Sequence, residues 1–136
     1  MREDALSTPP RRLLVALAED DDEQRLALEA ALSGEGFEVV SFEDGAELLD
    51  FFELKSVRAA DVIIADLNMP GRSGLDGLER ARARGVTAPV FVVTGESSDE
   101  LRARVMRLGN ALYLHKPIDP VRLAEAIYRV TALTGP

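Results

Sequence analysis

Four stretches of this chain place chemically capable side chains directly after short apolar runs. Glu19-Asp20-Asp21-Asp22 follows residues 13–18, and Asp66-Leu67-Asn68 follows residues 61–65. Thr94-Gly95-Glu96 follows residues 89–93, and His115-Lys116-Pro117 follows residues 111–114. Adjacent carboxylates cannot all stay ionised at close range without a cation, because like charges raise one another's pKa. The chain has no Cys and a single His, His115, which excludes thiolate and multi-histidine metal sites. Hard oxygen donors suit Mg²⁺, with Mn²⁺ as the alternative. A carboxylate nucleophile, a divalent cation, the Lys116 ammonium and the Thr94 hydroxyl together form a set equipped to hold a phosphoryl group. Singly, each has a plainer reading. The acidic run would be a solvated helix start, Thr94 ordinary β-propensity, Lys116-Pro117 a surface turn and His115 a structural or surface residue. Glu79-Arg80-Ala81-Arg82-Ala83-Arg84 reads most simply as a solvated helix face. For the acids, Thr94 and Lys116, the joint placement after different apolar runs favours a site.

Those runs alternate with helical patterns. Residues 12–18 and 61–65 are continuous apolar runs, as expected of strands buried on both faces. Residues 37–42, 89–93 and 111–114 read as three more strands. Ala27, Leu28, Ala31 and Leu32 form an apolar helical stripe between Asp22 and Leu32, ended by Gly34 and Gly36. Asp44-Gly45 starts a helix running to about Leu54, and another spans about residues 75–84. Ser97 or Ser98 caps a helix to Leu108. Asp119-Pro120 opens the last helix, which puts Leu123, Ala124, Ile127 and Val130 on one face. Five strand–helix units with short connections predict one parallel sheet covered by helices on both sides. Ligands of such sheets bind beyond the carboxyl ends of the strands, where the four stretches lie.

With 136 residues the chain suffices for one domain. Its 24 acidic against 16 basic residues give a net charge of −8, which disfavours direct binding to nucleic acid. No apolar run approaches the roughly 20 residues that span a bilayer. The start, MREDALSTPPRR, lacks the apolar segment of a signal peptide, so a cytoplasmic location is expected and no membrane partner. Residues 1–11 are predicted to be a flexible extension and 134–136 a short tail.

The motifs resemble those of the receiver domain of bacterial two-component response regulators, over about residues 12–133. They are Ala18-Glu19-Asp20-Asp21 with Arg25, Asp66-Leu67-Asn68-Met69-Pro70-Gly71 with Gly74, Val93-Thr94-Gly95, and Tyr113-Leu114-His115-Lys116-Pro117. The resemblance implies a doubly wound (βα)5, flavodoxin-like fold with strand order 2-1-3-4-5. It implies that Asp66 is the phosphoacceptor, taking its phosphoryl group from a histidine kinase or histidine phosphotransfer protein. Mg²⁺ would be held by Asp20 directly, by Glu19 through water, by Asp66 and by the Asn68 carbonyl. Thr94 and Lys116 would bind phosphoryl oxygens, and Tyr113 would swing inward as Thr94 moves. A cis bond at Lys116-Pro117 is likewise implied.

Some positions depart from the family pattern. Gly109-Asn110-Ala111-Leu112 stands where Gly-Ala-Asp and a further polar residue are usual, and Val105 where a small alanine is common. Both lie on the fourth helix and fifth strand, which with the fifth helix form the expected output face toward a downstream protein or a second copy. A contact using exposed Leu112 and Arg104 is therefore expected. Asn68 and Glu96, flanking the acceptor, are permissive for water attack on the acyl phosphate. The leading expectation is a stand-alone phosphoacceptor switch rather than an enzyme, with a receiver cut from a larger regulator or hybrid kinase as the runner-up. A Mg²⁺-dependent aspartyl phosphohydrolase resembling the haloacid dehalogenase group would need Asp-x-Asp, and Asp66-Leu67-Asn68 lacks the second acid. A P-loop enzyme is excluded because the chain has no Gly-x-x-x-x-Gly-Lys-Ser/Thr.

Overall fold

A computed structural model describes residues 12–53, 59–67, 74–95 and 98–133. The proposed terminal segments, 1–11 and 134–136, lie outside the described residues, as do Asn68 and Glu96. Five strands, β1 (Leu14–Ala18), β2 (Glu38–Phe42), β3 (Val62–Asp66), β4 (Val90–Thr94) and β5 (Ala111–His115), form one parallel sheet. Their order is β2-β1-β3-β4-β5, as the sequence motifs imply. Every residue of β1, β3 and β4 is buried, whereas the edge strands β2 and β5 are only partly so. That difference explains why the central runs are continuously apolar and the edges are mixed.

Helices α1 (Asp22–Gly34), α2 (Gly45–Glu53), α3 (Gly74–Ala83), α4 (Asp99–Arg107) and α5 (Pro120–Leu133) alternate with the strands. The period-2 alternation of side chains divides the core into two layers. Ala16, Ala18, Ile63, Ala65 and Val92 face Leu48 of α2, Leu75 and Leu78 of α3 and Val105 of α4. Val15, Leu17, Ile64, Phe91 and Val93 face Leu32 of α1 and Leu123, Ala124 and Ile127 of α5.

Side chains that begin the helices behave as their types predict. Asp21 caps α1 by accepting from the backbone N–H of Gln24 (2.9 Å), and Ser98 caps α4 by accepting from that of Leu101 (3.0 Å). Asp44 accepts from Glu47 N at 2.9 Å at the start of α2. Gly36, at φ 101°, makes the turn from α1 into β2.

Three sequence expectations are corrected. Ala27 is exposed, because α1 packs on Leu28, Ala31 and Leu32 and leaves Ala27 at the edge of an open cavity. The Arg-rich face of α3 is not simply solvated. Half-buried Arg82 donates to the carbonyls of Val86 (2.9 Å), Leu108 (3.1 Å), Gly109 (2.9 Å) and Asn110 (3.3 Å). It thereby ties α3 to the carbonyl end of α4. Arg104 is not fully exposed as expected; it is half-buried and pairs with Glu79 at 2.7 Å and Asp76 at 3.2 Å on α3. Leu112 is exposed as expected, at 45%.

Candidate functional site

The strand order reverses at the β1–β3 pair, so their carboxyl ends open side by side. Glu19 follows β1 directly. Its N–H donates to Phe42 O of β2 at 3.0 Å, and its Oε2 accepts from Asp21 N at 3.1 Å. Arg25, one turn into α1, donates to Glu19 O at 3.0 Å and pairs with Asp22 at 2.6 Å. The acidic turn is thus fixed by its own chain. Asp66 ends β3 opposite Val93, only 4% exposed. Carboxylate oxygens of Glu19, Asp20 and Asp66 lie within 4.8 Å of one another.

From the other side β4 and β5 contribute. Thr94 ends β4 and is fully buried. Its carbonyl accepts from Lys116 N at 2.9 Å, which carries the chain past β5 and into the cis Lys116-Pro117 bond. The Lys116 ammonium donates to Asp66 Oδ2 at 2.8 Å and to Gln24 Oε1 at 2.8 Å, with Glu19 Oε1 at 3.5 Å. His115 is exposed and its Nδ1 lies 2.6 Å from Lys116 O, a contact that requires the proton on Nδ1. It contributes no side chain to the acidic cluster. Tyr113, opposite Val92 in β5, is half-buried against the layer that holds Val105, and the Arg102 guanidinium stacks 4.7 Å from its ring centroid.

The electrostatics follow from this crowding. Burial above all, and then the neighbouring Asp66, push Glu19 up to about 7 from 4.5, although the Asp21 N–H and Lys116 oppose the shift. For Lys116 burial works against the charged form. The bonds and attraction of Asp66 and Glu19 outweigh it, and its pKa is raised. Three carboxylates against one ammonium leave surplus negative charge in a set of hard oxygens, a donor set that fits a small divalent cation. Beside the cluster a cavity of about 490 Å³ runs between α1 and the segment after β5, past Gln24, Ala27, Leu28 and Ile118.

The structure therefore brings together Glu19, Asp20, Asp66 and Lys116, with Thr94 at the end of the neighbouring strand and Tyr113 one layer behind. Gln24 was not singled out from the sequence. Its position three residues after Asp21, in the first turn of the helix that follows the acidic run, is the signal that could have found it. The stacking of Arg102 on Tyr113 was also missed, since nothing local marks it.

Comparison with known proteins agrees with this geometry. A family model described as response regulator receiver domain matches residues 15–128. The chain is 35% identical over 109 residues to the DNA-binding transcriptional regulator NtrC of Escherichia coli (strain K12), covering 80% of this chain and 23% of that protein. It is 35% identical over 140 aligned positions to the transcriptional regulatory protein PdtaR of Mycobacterium tuberculosis (strain H37Rv), covering 97% and 65% respectively. The chain thus spans about a quarter of the first relative and just under two thirds of the second. The solved structure of Vibrio cholerae chemotaxis protein CheY4 aligns with a TM-score of 0.78 at 28% identity, covering 88% of this chain and 99% of that one. A match running from the first strand into the last helix, on a sheet of this order, establishes that the chain belongs to the response regulator receiver domain family.

Proposed function

We propose that the chain is a phosphorylation-controlled switch in which Asp66 accepts a phosphoryl group from a phosphohistidine of a histidine kinase or phosphotransfer protein. The observation that carries this is the buried Asp66 carboxylate, bound by the Lys116 ammonium at 2.8 Å beside two further acids. A carboxylate oxygen of Asp66 attacks phosphorus, the O–P bond forms, and the P–N bond to the donor's imidazole breaks with its electron pair returning to nitrogen. Lys116 meets the charge that spreads over the phosphoryl oxygens, and its bond to Asp66 already aims it there. Glu19, Asp20, Asp66 and the Asn68 carbonyl would hold Mg²⁺, with Mn²⁺ as a substitute. The bound cation would neutralise the acids and the incoming phosphoryl group.

On the output side, the Thr94 hydroxyl turns toward the new dianion through a charge-assisted bond. Tyr113 follows into the space that Thr94 leaves, and the altered face comprises α4, β5 and α5. Its partner is a downstream protein or a second copy, and the net charge of −8 disfavours direct binding of nucleic acid by the chain itself. Among the described residues no helix is long and apolar enough to cross a membrane, which accords with a cytoplasmic place of action.

Intact-mass spectrometry after incubation with acetyl phosphate and Mg²⁺ tests the acceptor. One hydroxylamine-labile phosphoryl addition is expected in the wild type and none in Asp66→Asn; an equal addition in the variant refutes the assignment. Amide exchange with and without beryllofluoride tests the switch. Protection must change across residues 98–116, and a change confined to the surroundings of Asp66 refutes the route through Thr94 and Tyr113.

A further inference from the structure

Lys116 is held at its tip by three acceptors from three different places. Asp66 Oδ2 at the end of β3 and Gln24 Oε1 in the first turn of α1 each lie 2.8 Å from the ammonium nitrogen, and Glu19 Oε1 after β1 lies 3.5 Å away. An ammonium has three N–H donors, so these acceptors account for all of them. Two are carboxylates whose charge changes when a phosphoryl group or a cation arrives. Gln24 is the neutral one. A lysine head rides on a flexible four-carbon stem. With carboxylates alone around it, the head would follow whichever acid carries more charge. Gln24 stands on a helix start pinned by Asp21 and by the Arg25 bond to Glu19 O, so its amide is an anchor that does not depend on the state of the acids.

We propose that Gln24 is a positioning residue that holds the Lys116 ammonium aimed at the oxygens of the phosphoryl group entering at Asp66. The proposal rests on the phosphoacceptor function set out above and adds to it the residue that orients the lysine. Donors aligned before the reaction need no reorganisation as charge develops, whereas a head free to tilt toward Glu19 must be brought back each time. Gln24 serves the helix through its backbone, since the bond to Asp21 Oδ1 uses its main-chain N–H at 2.9 Å. Changing its side chain therefore leaves the cap of α1 in place.

The test uses the full chain as wild type, Gln24→Met and Gln24→Glu. Methionine keeps the length and removes the acceptor; glutamate restores an acceptor. The chain has two lysines, Lys55 and Lys116, so the side-chain ammonium of Lys116 can be followed by nitrogen-15 NMR in metal-free protein, with Lys55 as internal reference. Slowed proton exchange at Lys116 Nζ is expected in the wild type, faster exchange in Gln24→Met, where Asp66 is the one close acceptor left, and slowed exchange again in Gln24→Glu. With Mg²⁺ and acetyl phosphate, the rate of phosphoryl gain read by intact mass should fall roughly two- to ten-fold in Gln24→Met. Its melting temperature should stay within about 2 °C of the wild type, as for an exposed substitution. An unchanged rate overturns the inference, and so does a slower rate with an unchanged Lys116 signal. Failure of the wild type to gain any phosphoryl group refutes the phosphoacceptor function itself. The metal-free NMR then still decides whether Gln24 holds Lys116.

Discussion

Replacing Glu19 by glutamine should stabilise the metal-free protein, and the gain should depend on pH in a defined direction. Glu19 is 5% exposed, and its pKa is pushed from 4.5 to about 7, chiefly by burial and then by Asp66. Below pH 4.5 the carboxyl is protonated in both folded and unfolded chains and the shift has no effect on stability. Between 4.5 and about 7 the folded chain keeps a proton that the unfolded chain has released, so stability falls as pH rises. Above about 7 both are ionised and the full penalty is present. That interval corresponds to about 3 kcal/mol, and Lys116's opposing attraction is already contained in it. Glutamine has nearly the same shape, leaves an oxygen for the Asp21 N–H, and carries no charge to desolvate. For a domain of this size the removed penalty corresponds to a rise in melting temperature of roughly 6–12 °C at pH 8. The rise should shrink steadily toward pH 5. Thermal unfolding followed by circular dichroism at pH 5, 6, 7 and 8, with chelator present, measures the difference between the two proteins at each pH. A constant offset across that range, or a wild type more stable than the variant at pH 8, would show that burial of the Glu19 charge is not what strains the site. Added Mg²⁺ gives an internal control. A ligand that binds only the folded state raises the melting temperature, and the wild type should gain more from it than Glu19→Gln.

Two packing predictions follow from the α3 side of the sheet. A Cβ added at Gly77 would meet Gly45 O at 2.8 Å, a backbone atom that cannot turn aside, so Gly77→Ala should force α2 and α3 apart. A loss of about 1–3 kcal/mol in urea unfolding is expected, and an unchanged midpoint would refute the close approach of these helices. Arg82→Ala removes the donor shared by four carbonyls at the Val86 turn and the end of α4, and should cost about 2–4 kcal/mol, with Arg82→Lys recovering little because lysine lacks the planar fork. Full recovery by lysine would mean that charge alone, and not the geometry of the guanidinium, holds the turn.

What the sequence made legible, and what it hid, divides along local and distant interactions. The runs of β1, β3 and β4 could be read because burial on both faces admits only apolar residues, and β3 then ends on Asp66, whose identity cannot be explained by packing. Glu19, Thr94 and Lys116 were found by the same rule, each standing at or just past the end of a strand. Ser98 was legible as a cap because its partner lies three residues away, whereas Asp21, whose partner is equally near, was read only as part of an acidic helix start. Arg82 and Arg104 were misread because their partners lie across packed helices, at carbonyls of residues 108–110 and at carboxylates 25 and 28 residues back along the chain. An arginine on an amphipathic helix has the same local pattern whether it meets water or the carbonyl end of a neighbour. Gln24 is the intermediate case. Its helical turn could be located, but its bond to Lys116 spans 92 residues.

The same division bears on how the candidate site and the proposed output face can coexist in one small sheet. The acids stand at the carboxyl ends of β1 and β3, whose residues are buried throughout, so the carboxylates are held by the part of the core least able to shift. Strand β5 is the opposite, an edge with no fully buried residue and with Leu112, at 45%, and His115 exposed. The two are joined at one rung, where Thr94 is paired with His115 and Thr94 O accepts from Lys116 N. Under the proposed switch, a change in the charge at Asp66 would reach the edge through the lysine that binds Asp66 and through the threonine whose carbonyl holds that lysine's N–H just past β5. The helix next to that edge, α4, is itself anchored from behind by Arg82 and by the Arg104 pairs with α3. Anchored there, it offers Arg102 to the Tyr113 ring at 4.7 Å, so movement of the ring must break a cation–π contact rather than displace a loose helix. In this chain, then, the expected adjustment runs through β5 and the α4 residues that cover it, Arg102 among them, with α3 moving little.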